Sequence, residues 1–518
     1  MTRGVLQFTP IDEDEAFLSW RIIKTIIAAG GGFMTDAYDL FVIGLLTKLM
    51  GRIYYPDIQH ALPYAPSDLP NRSAYALKSV ALIGTLVGQL TFGHMADLIG
   101  RRPVHIATMI IMIIGALGSG MSFGTTGDAI VGTLCFWRFF LGLGIGGIYP
   151  LSATVMSETA STKWRGTYVA AVFSFQGFGF LLAGIVTIIL AAIWMPFDPS
   201  ADFLWRTALS LACIPPVITL YYRIMIPETE RYEVIVKGDT QTAAKQVGLD
   251  DPTVVQATGL KARGHTWGSF LRLYGLPLLG CACSWFLLDI AFYSQGLFQA
   301  DVFTIVGWLP PSYTMNAVDE VYHVARAQLI ISMASIIPGY WFTVAFIEIL
   351  GRTRIQFMGF FFMTLFMGIL AGMFQKLIDT HQVSNFIGLY ALTFFFANFG
   401  PNSTTYILPA EVFPAWFRAT AHGICAATGK TGAIVGSYGF GILKDTPTHN
   451  AGLQTVLIVL TIVNVLGLIT TLPIPEPKGK TLEEMGHEVE DMSSMHTDES
   501  MEPPYPSMMG QPMFVNRY

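Results

Sequence analysis

A chain of 518 residues in which 52% are hydrophobic and only 13% charged carries about half the charge of an ordinary soluble protein, where roughly 25% is usual. That is too little to cover several water-soluble domains, whereas a bilayer asks for no such cover. The net charge of −6 supplies no basic field for nucleic acid, so that class of partner is excluded.

The first twenty residues, including the acidic stretch IDEDEAF, are polar and lack the basic-then-apolar design of a cleaved signal. They are expected to be a cytoplasmic N-terminus, with the first span acting as the targeting element. Apolar segments of bilayer length, roughly 20 residues, then fall near 21–50, 74–96, 103–124, 129–157, 166–193 and 203–226. Residues 227–272 open with a polar stretch that has no sustained apolar run and read as a central cytoplasmic loop. Six more segments follow near 273–300, 322–349, 355–376, 384–409, 417–442 and 451–473, and 474–518 read as a polar, disordered cytoplasmic tail. The expectation is an all-α membrane protein of about twelve transmembrane helices in two six-helix bundles, 21–226 and 273–473.

Basic residues in short loops set orientation. With both ends cytoplasmic, inside loops hold Arg101, Arg102, Lys163, Arg165, Arg352, Arg354 and Arg418, and outside loops only Arg52, Arg72, Lys376 and Lys444. Asn71-Arg72-Ser73 is then a glycosylation sequon on the outer side. The five cysteines all sit in apolar stretches and read as small buried residues, not as disulfides or metal ligands.

The halves repeat. Asp97-x-x-Gly100-Arg101 returns as Glu348-x-x-Gly351-Arg352, at an offset of 251 between the glycines. Glu158 precedes Arg165 by seven residues, as Glu411 precedes Arg418, and Pro227-Glu228 returns as Pro475-Glu476. Three matches in order, all at span edges, argue for a duplicated six-span unit that holds its substrate between the halves near the midplane. Asp97, Arg101, Glu158, Arg165, Glu348, Arg352, Glu411 and Arg418 are candidates for gating bonds that form on closure and break on opening; the plainer role for them is positive-inside anchoring and helix capping.

A charge at mid-span costs roughly 2.5–3.5 kcal/mol, so each one calls for a function or a partner. The candidates are Asp36 and Asp39 on the first span, Arg138 on the fourth, Asp289 on the seventh and Lys430 on the eleventh. An offset of 253 carries Asp36 onto Asp289 and Tyr149 onto Asn402. Trp285, Asp289 and Tyr293 share a helix face by their i, i+4, i+8 spacing, and Gln176 stands alone among Phe and Gly. A fixed cation, Lys430 with Arg138 as a second candidate, together with Tyr, Gln, Asn and Trp donors suits an anion rich in oxygen acceptors. A neighbouring carboxylate can accept a hydrogen bond from a protonated oxyanion, which favours monobasic phosphate over sulfate, and it can carry a proton. Gly423 to Thr431 imitates a phosphate-binding loop but has one residue too many between its glycines, and the histidines show no metal-binding spacing. No enzyme activity, cofactor or metal is expected.

The stretches FMTDAYDLF, GGIYPLSATVMSE, SWFLLDIAFYSQGLFQ, GYWFTVAFIEILGR, NFGPNSTTYILPAEVFP, HGICAATGKTGAIVG and PEPKGKTLEEM resemble the phosphate:proton symporter family of plants and fungi within the major facilitator superfamily. The resemblance implies the major facilitator fold, alternating access and inorganic phosphate and protons as cargo. It implies a phosphate site from Tyr149, Gln176, Trp285, Asp289, Tyr293 and Asn402 with Lys430 nearby, proton movement through Asp36, Asp39 and Asp289, and residence in a plasma membrane. The family pattern has an aspartate where this chain has Ile148, which puts the manner of coupling or the substrate range in question. Carriage of a phosphate ester such as a glycerophosphodiester, or phosphate sensing without flux, are the competing functions.

Overall fold

A computed structural model describes residues 20–55, 69–197, 201–229, 232–233, 266–444 and 449–486. Most of the expected central loop and the expected tail beyond 486 lie outside the described residues.

The described chain forms twelve long helical spans: α1 Trp20–Tyr54, α2 Asn71–Ile99, α3 Arg101–Gly120, α4 Gly127–Thr159, α5 Arg165–Trp194, α6 Asp202–Met225, α7 Trp267–Leu297, α8 Ala317–Leu350, α9 Arg352–Asp379, α10 Val383–Val412, α11 Arg418–Lys444 and α12 His449–Thr471. Eleven of them are long and apolar enough to cross a membrane. The remaining one, α11, has 27 residues, about 40 Å of helix, but is rich in Gly, Thr and Ala and carries Lys430. Its polarity follows from its position, since it packs on α2 of the other half as well as on α7. The chain is a multi-pass integral membrane protein, because helices that satisfy their own backbone hydrogen bonds are what a bilayer core accepts.

Equivalent helices pair within each half: α1 with α5 and α3 with α4 in the first, α7 with α11 and α9 with α10 in the second. Between the halves, α2 meets α11 and α5 meets α8. Small residues set these distances. At Gly423 of α11 a Cβ would come within 2.4 Å of the Gln89 carbonyl of α2, so the two halves touch backbone to backbone. Along α1, Gly30, Gly31 and Gly32 leave room for Phe175, Thr219 and Ile148.

The repeated loop motif has a local explanation. Gly100 and Gly351 adopt φ of 111° and 96°, the left-handed region that favours glycine. Each turns the chain from one span into the next. Each new helix then presents free backbone N–H groups, and a glutamate from the end of the same half accepts them. Glu228 accepts from Arg102 N at 3.0 Å; Glu476 accepts from Arg352 N and Thr353 N, both at 3.0 Å. Capping is thus part of what the repeat encodes, alongside the cross-half bonds described below.

Because the Glu476 carboxylate caps α9, Glu476→Ala is expected to cost about 1–2 kcal/mol, the usual worth of a side-chain cap. Gly351→Ala should cost more, since its Cβ would meet Glu476 at 2.6 Å in a strained conformation. Thermal unfolding of the purified protein in detergent, measured side by side, checks both the size and the order.

Candidate substrate cavity between the two halves

The intramembrane charges identified in the sequence all occur buried and in pairs or networks. Asp36 and Asp289 are 3% and 1% exposed and Lys430 is 2% exposed. Lys430 Nζ lies 3.4 Å from Asp289 Oδ2 and donates to the Tyr293 hydroxyl. It also sits over two rings, 4.9 Å from the Tyr149 centroid and 4.4 Å from that of Tyr293. Such cation–π contacts help hold a desolvated ammonium. Tyr149 belongs to the first half and Tyr293 to the second, so the cation stands at the seam.

On the other side of the seam, the Tyr149 hydroxyl donates to Asp36 Oδ2 at 2.6 Å, and Gln176 Nε2 donates to the same oxygen at 3.0 Å and to the Tyr149 hydroxyl at 3.0 Å. Asn402 Nδ2 donates to Asn398 Oδ1 at 2.7 Å and to the Tyr340 hydroxyl at 2.8 Å; Tyr340 donates in turn to Gln176 Oε1 at 2.8 Å. Trp285 faces Tyr149 across the seam, ring centroids 6.1 Å apart. Tyr149, Gln176, Trp285, Asp289, Tyr293, Asn402 and Lys430 are therefore brought together in one buried layer, with Asp36 among them.

Arg138 and Asp39 stand apart from that layer. Arg138 Nη1 donates to Asp39 Oδ1 at 2.7 Å and Nε to the Leu77 carbonyl at 3.2 Å. This pair lies within the first half, and Lys430 is the cation of the central layer. Ile148 is 1% exposed and packs on Gly32, whose Cβ would come within 2.6 Å of its Cγ2. An apolar residue thus fills the position at which the family pattern carries an acid.

The layer is closed on both faces. On the face bearing Gly100 and Gly351, Glu158 accepts from Arg101 of its own half at 3.2 Å and from Arg418 of the other at 3.1 Å. Asp97 Oδ2 accepts from Thr420 N at 2.8 Å and from its hydroxyl at 2.7 Å, while Glu348 Oε1 accepts from Gly166 N at 2.7 Å. Arg352 pairs with Glu348 at 2.6 Å and with Glu411 at 2.9 Å, and Arg165 donates to the Lys480 carbonyl at 3.2 Å. On the opposite face Arg52 bonds Glu320 at 2.8 Å, with Lys48 3.6 Å from Glu320 and 3.9 Å from Asp301. The arrangement is an occluded one.

Sequence reasoning missed Tyr340 and this second closure. Lys48 and Arg52 lie one turn apart at the end of α1, a spacing that reads as interfacial anchoring until Glu320 is placed opposite. Tyr340 had no charge to mark it in an apolar span.

Two pseudo-symmetric helical bundles around a sealed polar layer define a membrane carrier of the alternating-access class. Residues 24–488 match the sugar (and other) transporter family. The chain is 47% identical over 506 residues to the probable inorganic phosphate transporter 1-7 of Arabidopsis thaliana, covering 92% of this chain and 94% of that one. It is 48% identical over 496 residues to the low affinity inorganic phosphate transporter 1 of Petunia hybrida, covering 90% and 92%. Its fold is similar to that of the major facilitator proton:xylose symporter XylE, at 21% identity and a TM-score of 0.69 over 90% of this chain and 98% of that one. The chain belongs to the sugar (and other) transporter family and has the major facilitator fold. It is a transporter rather than an enzyme.

The buried Arg138–Asp39 pair gives a stability test. Removing one partner leaves an uncompensated buried charge, so Arg138→Met should lose about 3–5 kcal/mol. Adding Asp39→Leu should recover most of that loss. Unfolding midpoints of the single and double variants decide the point, and a double variant no better than the single would contradict it.

Proposed function

We propose that this chain carries inorganic phosphate across a membrane together with protons, by alternating access around the Lys430–Asp289 layer. The observation that carries the reading is the donor set around one buried cation. Lys430, the Tyr149 and Tyr293 hydroxyls, the Gln176 and Asn402 amides and Trp285 supply donors, and Asp289 supplies an acceptor. A monobasic phosphate needs many donors for its oxygens and one acceptor for its own O–H. The names of similar relatives, inorganic phosphate transporters of three plants, point the same way.

In this reading Lys430 takes the anion's charge, Asp289 accepts its proton, and Asp36, Asp39 and Asp289 move protons between the two sides. Gating belongs to Asp97, Arg101, Glu158, Arg165, Glu348, Arg352, Glu411 and Arg418 on a cytoplasmic face, as the positive-inside bias requires. Both ends would then be cytoplasmic, in a plasma membrane. Ile148 bears on the ester alternative: it fills its own space against Gly32 and so adds no room for a larger substrate. Bonds joining the halves on both faces favour a moving carrier over a sensor without flux.

Reconstituted in liposomes, the protein should accumulate labelled phosphate when the outside is made acidic, and collapse of the pH gradient should stop it. Asp289→Asn should reduce accumulation to the level of empty vesicles, because the carboxylate that accepts the anion's proton is gone; accumulation at the wild-type level would refute its role. Ile148→Asp is expected to move the pH profile of uptake, whereas an unmoved profile would assign coupling to the other acids alone.

A further inference from the structure

Tyr340 lies on α8 just beyond a π-helical turn at Ser332–Ile336, a distortion that often marks functional positions. It is 1% exposed, and its ring meets Phe173 edge-on at 5.9 Å between centroids. Across the seam, Gly177 permits the approach: a Cβ there would be 3.1 Å from Tyr340 Cδ2. The Tyr340 hydroxyl is thereby set between the Gln176 amide of one half and the Asn402 amide of the other.

The direction of every bond in this chain follows from its first member. An ionised carboxylate only accepts, so Asp36 fixes the N–H side of Gln176 toward itself. Gln176 then presents its carbonyl to Tyr340, which has to donate. A hydroxyl that donates its single proton there can only accept from Asn402, so the Asn402 N–H side faces it. Three groups, Gln176, Tyr340 and Asn402, thus read one charge in sequence. If Asp36 takes up a proton, its carboxyl becomes a donor, and the order can reverse. Gln176 turns its carbonyl to Asp36 and its N–H to Tyr340, and the Tyr340 proton turns to the Asn402 carbonyl. Asn402 then gives up its bond to Asn398. Hydrogen-bond chains of this kind strengthen one another inside a low-dielectric interior.

We propose that Tyr340 is a positioning residue that passes the charge state of Asp36 in the first half to the substrate amide of Asn402 in the second. Within the seam, the charged and titratable groups that interact with Asp36 are Lys430, Asp39 on its own helix, Asp289, and the hydroxyls of Tyr149, Tyr293 and Tyr340. Lys430 and Asp289 act on Asp36 directly, through charge. Tyr340 acts through bond direction, so its loss should remove the transmission and leave those charges in place. The inference deepens the proton-coupled reading given above and rests on it.

The test needs a readout that does not depend on phosphate. A pair of fluorescent labels, one on each half, reports separation of the halves in reconstituted full-length protein as pH is varied without substrate. The wild type should show a pH-dependent shift that Asp36→Asn removes. Tyr340→Phe, which deletes one oxygen, should lose that shift to the same degree. A wild-type pH response in Tyr340→Phe would overturn the proposal, as would a wild type with no response. Should Tyr340→Phe fail to fold, Asn402→Leu, which removes the amide that receives the signal, takes its place: it should lose the pH-dependent shift, and a wild-type shift in that variant overturns the proposal. A wild type that responds to pH but takes up no phosphate would sink the phosphate reading alone.

Discussion

Because the bilayer core holds no water to solvate a charge, every ionised group at mid-span must find its partner within the protein. That constraint organises the whole molecule. Asp39 is answered by Arg138 inside the first half, whereas Asp289 is answered by Lys430 on the adjoining span of the second. Lys430 in turn leans on Tyr149 across the seam. The first pair ties a bundle together; the second sits where the bundles meet, where the proposed function places the anion. Burial alone does not separate these roles, since all four side chains are at most 2% exposed. Position relative to the seam does.

The duplication supplies two equivalent frames, and the chemistry comes from where they differ. At one offset Asp36 falls on Asp289, yet their surroundings are unlike. Asp36 is bonded by a phenol and an amide, both neutral donors. Asp289 is bonded by an ammonium. One carboxylate is therefore held by groups that can turn over, the other by a fixed charge. A carrier that moves a proton and an anion together needs both kinds, because a proton site must change state while an anion site must keep its cation.

Much of this was legible in the sequence. Span count, the repeat and the list of intramembrane charges follow from hydropathy, offset and the cost of burying an ion, and all seven expected substrate residues meet in one layer. Less legible was anything set by tertiary direction. Arg138 looked like a second substrate cation because a sequence does not say which way a side chain on α4 points; it points at Asp39. Tyr340 went unassigned because a tyrosine in an apolar span carries no signal until Gln176 and Asn402 are placed on either side of it. The Arg52–Glu320 closure joins residues 268 positions apart in sequence, with no repeat of it in the other half to mark it. The Pro-Glu repeat was visible, but its capping of the helix after each left-handed glycine needed the backbone.

Alternating access demands that bonds between the halves break without stranding a charge, since an uncompensated buried ion costs about 3–5 kcal/mol. The residues of the proposed gate meet that demand by sharing. Glu158 holds Arg418 of the other half but also Arg101 and the Thr229 hydroxyl of its own. Asp97 spans to Thr420 yet keeps Arg101 within 3.4 Å. Glu348 reaches the backbone of Gly166 while Arg352 stays bonded to it. When the halves part, each acid retains an arginine of its own half; Asp97 and Glu348 lose a hydrogen bond worth roughly 1–3 kcal/mol, and Glu158 loses its bridge to Arg418 but keeps the one to Arg101. The opposite face is built differently. Glu320 has Arg52 and Lys48 from the other half and, from its own, the Ser312 hydroxyl at 2.8 Å. Opening there separates unlike charges, which becomes tolerable only as water enters to solvate them. The two faces thus open by different physics: on one each acid keeps an arginine of its own half, on the other the acid keeps only a hydroxyl of its own half and its charge is left to hydration.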